Sequence, residues 1–209
     1  MIVSPDHHLI TPDGKYVWTV SRVKDAWTIA KEQYTQALLW PIKPDKVVLF
    51  VGAPGSGKSF WLAQREDERV LYFDATFDLP FKREPYIRLA RMAGVPVEIV
   101  WLDTPLEVCI ERNAGRSEDR SVPEDVIRAT HDKIQSAPPS ESEGVTVTVA
   151  RAIDDVYPYS VRVRNQLGAK GVWWVDQLAA LSETDLRAFG FIPKVIKEIT
   201  SLHPFTPGA

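Results

Sequence analysis

The sequence predicts an α/β fold, in which helices flank a parallel sheet, followed by a small all-α module. Short apolar runs typical of buried strands alternate with amphipathic segments of helical length. A glycine-rich loop directly follows one of these strands, and short helical segments fill the chain from residue 157 onward. We therefore expect an N-terminal hairpin and helix packed on the core (1–44), the α/β core (45–156) and the helical module (157–209).

The composition is typical of a globular protein. Of 209 residues, 44% are hydrophobic and 25% charged, and no apolar stretch approaches the roughly 18 residues that a membrane helix needs. The single Cys109 can form no internal disulfide, and the N-terminus lacks a signal-peptide pattern. We expect a cytoplasmic protein without a membrane partner.

The N-terminal region is predicted as a hairpin followed by a helix. Residues 8–18 are typical of two short strands around a Pro-Asp-Gly turn. From Ser21, a candidate N-cap, apolar residues recur at spacings of three and four until Leu39, before Pro41.

Residues 52–59 match the phosphate-loop pattern G-x-x-x-x-G-K-[ST] at every position. The loop follows the apolar run 47–51, so the order is strand, loop, helix, as phosphate binding requires. Its glycines let backbone N–H groups face a polyphosphate, Lys58 would reach the β- and γ-phosphates, and Ser59 would hold Mg²⁺. The predicted nucleotide-binding residues are Gly52, Ala53, Pro54, Gly55, Ser56, Gly57, Lys58 and Ser59.

The rest of the core alternates strands and helices. Strands are predicted at 70–73, 97–101 and 145–149, and helices at 82–93, 105–113 and 121–135, the last with Ser121 in a capping box. Asp74 ends the strand 70–73, where a carboxylate can bind Mg²⁺ or accept a proton from an attacking hydroxyl.

Three arginines, Arg112, Arg116 and Arg120, follow at spacings of four. Such a cluster is typical either of a lid that stabilises a transferring phosphate or of a solvated face paired with neighbouring carboxylates.

Residues 47 to about 149 resemble the kinase domain of phage-type polynucleotide kinases and the related zeta-toxin-like P-loop kinases. The resemblance rests on five segments in register: 52–59, 73–77, 100–105, 111–116 and 121–127. It implies a P-loop NTPase-type sheet that transfers the γ-phosphoryl group of ATP, with Mg²⁺, to a hydroxyl. By the same match, Lys58 and Ser59 contact phosphates and Mg²⁺, Arg116 contacts the transferring phosphate and Arg112 supports the nucleotide.

The chain departs from these kinases at the general base. They carry a strand and a base aspartate between the phosphate loop and the strand that ends in Asp-Ala-Thr, whereas here only residues 60–69 separate the two. We expect Asp74 to act as the base, or the N-terminal helix to supply Asp25 or Glu32.

The C-terminal module resembles the C-terminal domain of the bacterial RNA polymerase α subunit and, more broadly, helix-hairpin-helix DNA-binding domains. The match runs through residues 160–167, 175–186 and 194–199. It implies that Arg162, Asn165 and Lys194 contact the DNA minor groove and backbone. Ile192-Pro193 replaces the hairpin glycine of that family, and proline lacks an N–H donor. Residues 157–209 hold six Lys/Arg and four Asp/Glu in a chain of net charge −3, a mild hint of a polyanionic partner.

The sequence thus predicts an ATP- and Mg²⁺-dependent kinase that phosphorylates a hydroxyl on DNA, in the host cytoplasm if phage-encoded. The acceptor is either the hydroxymethyl group of a modified pyrimidine such as 5-hydroxymethyluracil, which would be flipped from the stack, or a 5′-hydroxyl end. Two alternatives stay open: a small-molecule or nucleotide kinase whose tail serves assembly, and a non-catalytic, nucleotide-gated DNA-binding protein.

Overall fold

The chain forms two compact units. The computed structural model describes residues 1–65 and 67–203, and its units are Met1–Val149 and Ala150–Ala209. Residues 204–209 of the predicted tail module lie outside the described part. The division falls after Val149 rather than after residue 156, because Ile153 is buried in the core of the second unit.

The first unit is built on a five-stranded sheet in the order β1-β3-β2-β4-β5. The pairs β1/β3, β3/β2 and β2/β4 are parallel, which confirms the predicted α/β architecture. Helix-covered faces on both sides explain why residues 47–51 of the central strand are all buried. The strands are β1 (Ile2–Val3), β2 (Lys46–Val51), β3 (Val70–Phe73), β4 (Val97–Leu102) and β5 (Thr146–Ala150).

Five α-helices lie in the described residues of this unit, 1–65 and 67–149. They are α1 (Val20–Leu39), α2 (Lys58–Leu62), α3 (Pro80–Met92), α4 (Leu106–Ala114) and α5 (Glu124–Ser136). Residues 26, 30, 34 and 38 of α1 are buried, a spacing of four that places them on one face. On this face the Tyr34 ring packs against Phe73 of β3, and its hydroxyl donates to the Tyr86 carbonyl of α3 at 2.8 Å. The long N-terminal helix is therefore anchored on the sheet and on α3.

The first twenty residues differ most from the sequence prediction. The predicted hairpin in 8–18 is reduced to one antiparallel bridge between Ile10 and Tyr16, and residues 5–9 form a 3₁₀ helix. Helix α1 is capped by Thr19 rather than Ser21, because the Thr19 hydroxyl accepts from the Arg22 amide. The pair Ile2-Val3 adds a parallel edge strand to β3 that the sequence analysis missed.

Helix α5 also begins later than expected. Pro123 is its N-cap and makes no side-chain capping bond, so the capping box predicted from Ser121 does not form.

The described residues of the second unit, 150–203, are mainly helical and also hold the end of β5 and one antiparallel bridge between Ala152 and Trp174. Its helices are α6 (Ile153–Val156), α7 (Val161–Ala169), α8 (Val175–Ala179), α9 (Glu183–Ala188) and α10 (Pro193–Leu202). They enclose a core that includes Val163, Leu167, Leu186 and Ile199. The capping box predicted for Ser182 and Asp185 does form at the start of α9. Within residues 1–65 and 67–203, no helix combines the length and apolar character required to cross a bilayer.

Candidate nucleotide-binding and phosphotransfer site

The phosphate loop lies between β2 and α2, where the central strand ends. Gly55 and Gly57 adopt φ of 86° and 97°, which favours glycine. A Cβ at Gly55 would overlap the backbone carbonyl of Cys109 in α4, so the loop passes directly over that helix. Thr104 follows β4, and its hydroxyl donates to the Ser56 carbonyl at 2.9 Å. This bond helps to fix the conformation of the loop.

Lys58 points back into the loop. Its Nζ donates to the carbonyl oxygens of Gly52 at 2.6 Å and Ala53 at 3.1 Å. Burial lowers the pKa of Lys58, the Asp74 carboxylate raises it and Arg116 lowers it again. The ammonium therefore lies at the loop, within electrostatic reach of both a carboxylate and an arginine.

Asp74 and Ser59 are the candidate oxygen ligands for a metal near Lys58. Burial raises the pKa of Asp74, whereas Lys58 and a hydrogen bond from the Ser59 hydroxyl lower it. Mg²⁺ prefers such hard oxygen donors and usually keeps several waters, so one carboxylate and one hydroxyl next to a polyphosphate fit it. No cluster of three or more His, Cys, Asp and Glu side chains suited to a metal occurs in residues 1–65 and 67–203.

The predicted arginines lie in the last turn of α4 and just after it. Arg112, Arg116 and Arg120 are all exposed, with Arg120 in a 3₁₀ turn, Glu118–Arg120. Of the three, Arg116 is the arginine whose charge helps to lower the pKa of Lys58.

Asn113 holds the arginine-bearing segment 114–121 at its base. Its Nδ2 donates to the Val122 carbonyl at 2.8 Å, and its Oδ1 accepts from the Val122 amide at 3.0 Å. This reciprocal pair fixes both ends of the segment to each other. The sequence analysis missed this role, because an asparagine at a helix end is by itself a common residue.

The N-terminal segment contributes a carboxylate that the sequence analysis did not select. The Asp6 charge raises the pKa of both Lys58 and Asp74. In contrast, Asp25 and Glu32 are exposed on α1. The only sequence signal for Asp6 is its position after the apolar pair Ile2-Val3.

The predicted DNA-binding residues lie in the second unit. Arg162, Asn165 and Lys194 are exposed, the first two one turn apart on α7. Glu198 of α10 accepts from the Ser160 amide at the start of α7 at 2.7 Å, and Lys194 lowers the pKa of Glu198. These contacts bring Lys194 toward the end of α7 that carries Arg162.

Comparison with known families supports the nucleotide-binding class. A family model described as an AAA domain matches residues 63–138, a region that starts after the phosphate loop and contains Asp74, Arg112 and Arg116. The match supports a P-loop, kinase-like domain. No curated protein matches the chain.

Proposed function

We propose that this protein is an ATP-dependent kinase that transfers the γ-phosphoryl group to a hydroxyl on DNA. The observation that carries the proposal is the phosphate loop 52–59, in which Lys58 bonds back to the loop carbonyls while the charges of Asp74 and Arg116 act on its pKa. An arginine whose charge reaches the loop can stabilise charge on a transferring phosphoryl group, and the resemblance of residues 47–149 to P-loop kinases favours a hydroxyl rather than water as the acceptor.

In this mechanism the loop amides and Lys58 hold the β- and γ-phosphates. Ser59 and Asp74 would hold Mg²⁺, which would offset the negative charge of the phosphates when bound. Arg116, supported by Arg112, closes on the γ-phosphate as charge develops. Holding the acceptor and nucleotide in line supplies much of the remaining rate gain.

The DNA acceptor is proposed from the second unit. Arg162, Asn165 and Lys194 form an exposed polar and basic set suited to phosphate and minor-groove contacts, which position a duplex without selecting much sequence. The helix-hairpin-helix resemblance supports the same role. We propose the hydroxymethyl group of a modified pyrimidine and a 5′-hydroxyl end as the two acceptors to compare.

The test is label transfer from γ-labelled ATP with Mg²⁺ to three duplexes. The first carries internal 5-hydroxymethyluracil and blocked 5′ ends, the second ordinary bases and 5′-hydroxyls, and the third ordinary bases and 5′-phosphates. Label in the first or the second duplex identifies the acceptor. Lys58→Ala should lower the rate of label transfer at least about 100-fold. ATP binding without label in any duplex would contradict a DNA kinase.

The role of the tail is tested separately by DNA binding at several salt concentrations. Arg162→Ala should weaken binding and reduce the salt slope by about 1, because one phosphate contact is lost. Lys197→Ala removes the same charge from α10 outside the predicted set and is the matched control. Equal effects of both variants would show that only net charge matters.

A further inference from the structure

The N-terminal strand ends beside the candidate site. β1 runs parallel to β3 with Val3 opposite Phe73, and the Asp74 amide donates to the Val3 carbonyl at 2.9 Å. The chain therefore leaves β1 at the same sheet edge at which β3 delivers Asp74. Asp6 follows three residues later, in the 3₁₀ turn Pro5–Leu9.

Two carboxylates thus follow neighbouring strands at one sheet edge, and the charges of both raise the pKa of Lys58. Asp74 is partly buried, and Ser59, the residue that follows Lys58 in the loop, helps to lower the pKa of Asp74. Asp6 is exposed and acts electrostatically on both Lys58 and Asp74. The partly buried carboxylate beside Ser59 suits the metal, and the exposed one suits an acceptor that arrives from solvent.

Tyr16 connects Asp6 to the arginine-bearing segment 114–121. Its hydroxyl donates to Asp6 Oδ1 at 3.4 Å, and its backbone amide donates to Asp119 Oδ2 at 3.3 Å. Burial, followed by the charge of Asp6, raises the pKa of Tyr16 to about 12, so the phenol stays a donor at neutral pH. A carboxylate has two oxygens, so a bond to Oδ1 leaves Oδ2 able to accept from a substrate hydroxyl.

We propose that Asp6 is the base that activates the acceptor hydroxyl, and that Tyr16 is a positioning residue that aims it. The acceptor oxygen forms a bond to the γ-phosphorus, the bond from that phosphorus to the β,γ-bridging oxygen breaks, and ADP leaves. The acceptor proton passes to the Asp6 carboxylate. The proposal rests on the proposed phosphotransfer and moves the base role from Asp74, where the sequence placed it, to the first turn of the chain.

The test compares asparagine variants of three aspartates in the full-length protein. Asp6→Asn should lower kcat for label transfer about 100-fold or more, since general bases contribute about 10² to 10⁴. ATP affinity, measured by calorimetry with Mg²⁺, should stay within about twofold. Asp13→Asn, in the same N-terminal segment, should keep wild-type kcat. Asp25→Asn, on α1, tests the alternative base, and a loss of kcat as large as that of Asp6→Asn would overturn the assignment.

Two further results would overturn the assignment. One is near-normal turnover by Asp6→Asn, and the other is a loss of turnover matched by an equal loss of ATP affinity, which would place Asp6 on the nucleotide side. His7 is the neighbouring competitor, because its charge also reaches Asp74. A large loss in His7→Asn with an intact Asp6→Asn would assign the base to His7 instead.

Tyr16→Phe tests the positioning role, because it keeps the ring and the backbone amide bound to Asp119 and removes only the hydroxyl. We expect kcat to fall about 5- to 20-fold with the KM for ATP unchanged, and Asp6→Asn/Tyr16→Phe to be no slower than Asp6→Asn alone. Additive losses would refute the link between the two residues.

The failure of this inference can be told apart from failure of the proposed function. If the wild-type protein labels no duplex, the DNA kinase assignment fails; ATP hydrolysis by wild type and Asp6→Asn then still tests the base, with water as acceptor. If the wild type labels DNA and Asp6→Asn does so equally, only the base assignment fails.

Discussion

Replacing Gly55 by alanine tests whether the phosphate loop depends on its close approach to α4. Gly55 has φ of 86°, and an added Cβ would overlap the Cys109 carbonyl. Gly94, at the end of α3, has φ of 73° and open space around its Cβ position. The two glycines share a left-handed backbone and differ in packing, so Gly94→Ala is a matched control.

The expected losses in the free energy of unfolding follow from the backbone conformation and the packing at each glycine. An alanine held in the left-handed region costs about 1–2 kcal/mol, and Gly94→Ala should show this loss alone. Gly55→Ala should lose a further ~1–3 kcal/mol, because the loop and the buried backbone of α4 must separate. A displaced loop also misdirects its amides, so the affinity for ATP should fall at least tenfold.

Urea unfolding measures the stability of both variants, and calorimetry with Mg²⁺ measures their affinity for ATP. Gly94→Ala should bind ATP like the wild type. The reasoning is refuted if Gly55→Ala is no less stable than Gly94→Ala and binds ATP normally.

The remaining predictions concern the metal, the arginine segment and the order of the chain. Asp74→Asn should raise the Mg²⁺ concentration needed for half-maximal turnover about tenfold or more, because the hydroxyl of Ser59 is a weak ligand alone; an unchanged Mg²⁺ titration would contradict this. Asn113→Ala should reduce kcat with little change in ATP affinity, because segment 114–121 loses both bonds at its base; equal protease sensitivity of that segment in variant and wild type would argue otherwise. A rearranged chain tests whether distant segments lie close together: residues 1–42 are moved to a position between residue 65 and β3 and joined there by short glycine-serine linkers. We expect folding and ATP binding to be preserved. The reason is that the Met1 amine donates to the Val70 carbonyl and the Asp45 amide donates to the Arg69 carbonyl, both at 2.8 Å. If the rearranged chain does not refold cooperatively, the start of the chain and residue 45 do not both lie close to the start of β3.

The sequence alone determined those parts whose causes are local. The apolar runs of β2 to β5 and the helical spacing of α1 and α5 depend on residues within a few positions of each other, so their existence was predictable. Likewise, Gly55 and Gly57 of the loop have the positive φ that favours glycine, and Ser182 caps α9 as expected. The element ends were less predictable: proline at 123 shortens α5, and Thr19 replaces Ser21 as the cap of α1.

Only the tertiary structure decided which carboxylate, besides Asp74, lies at the sheet edge that holds the candidate site. A strand of two residues has no periodicity to recognise, and β1 exists because Ile2 and Val3 pair with Tyr72 and Phe73, far along the chain. That pairing places Asp6 just beyond the strand beside β3, where its charge raises the pKa of Lys58, whereas Asp25 and Glu32 of the easily predicted α1 are exposed. The phosphate loop is recognisable in the sequence because its residues are consecutive. The proposed base Asp6 is not, because its position depends on the pairing of the start of the chain with a distant strand.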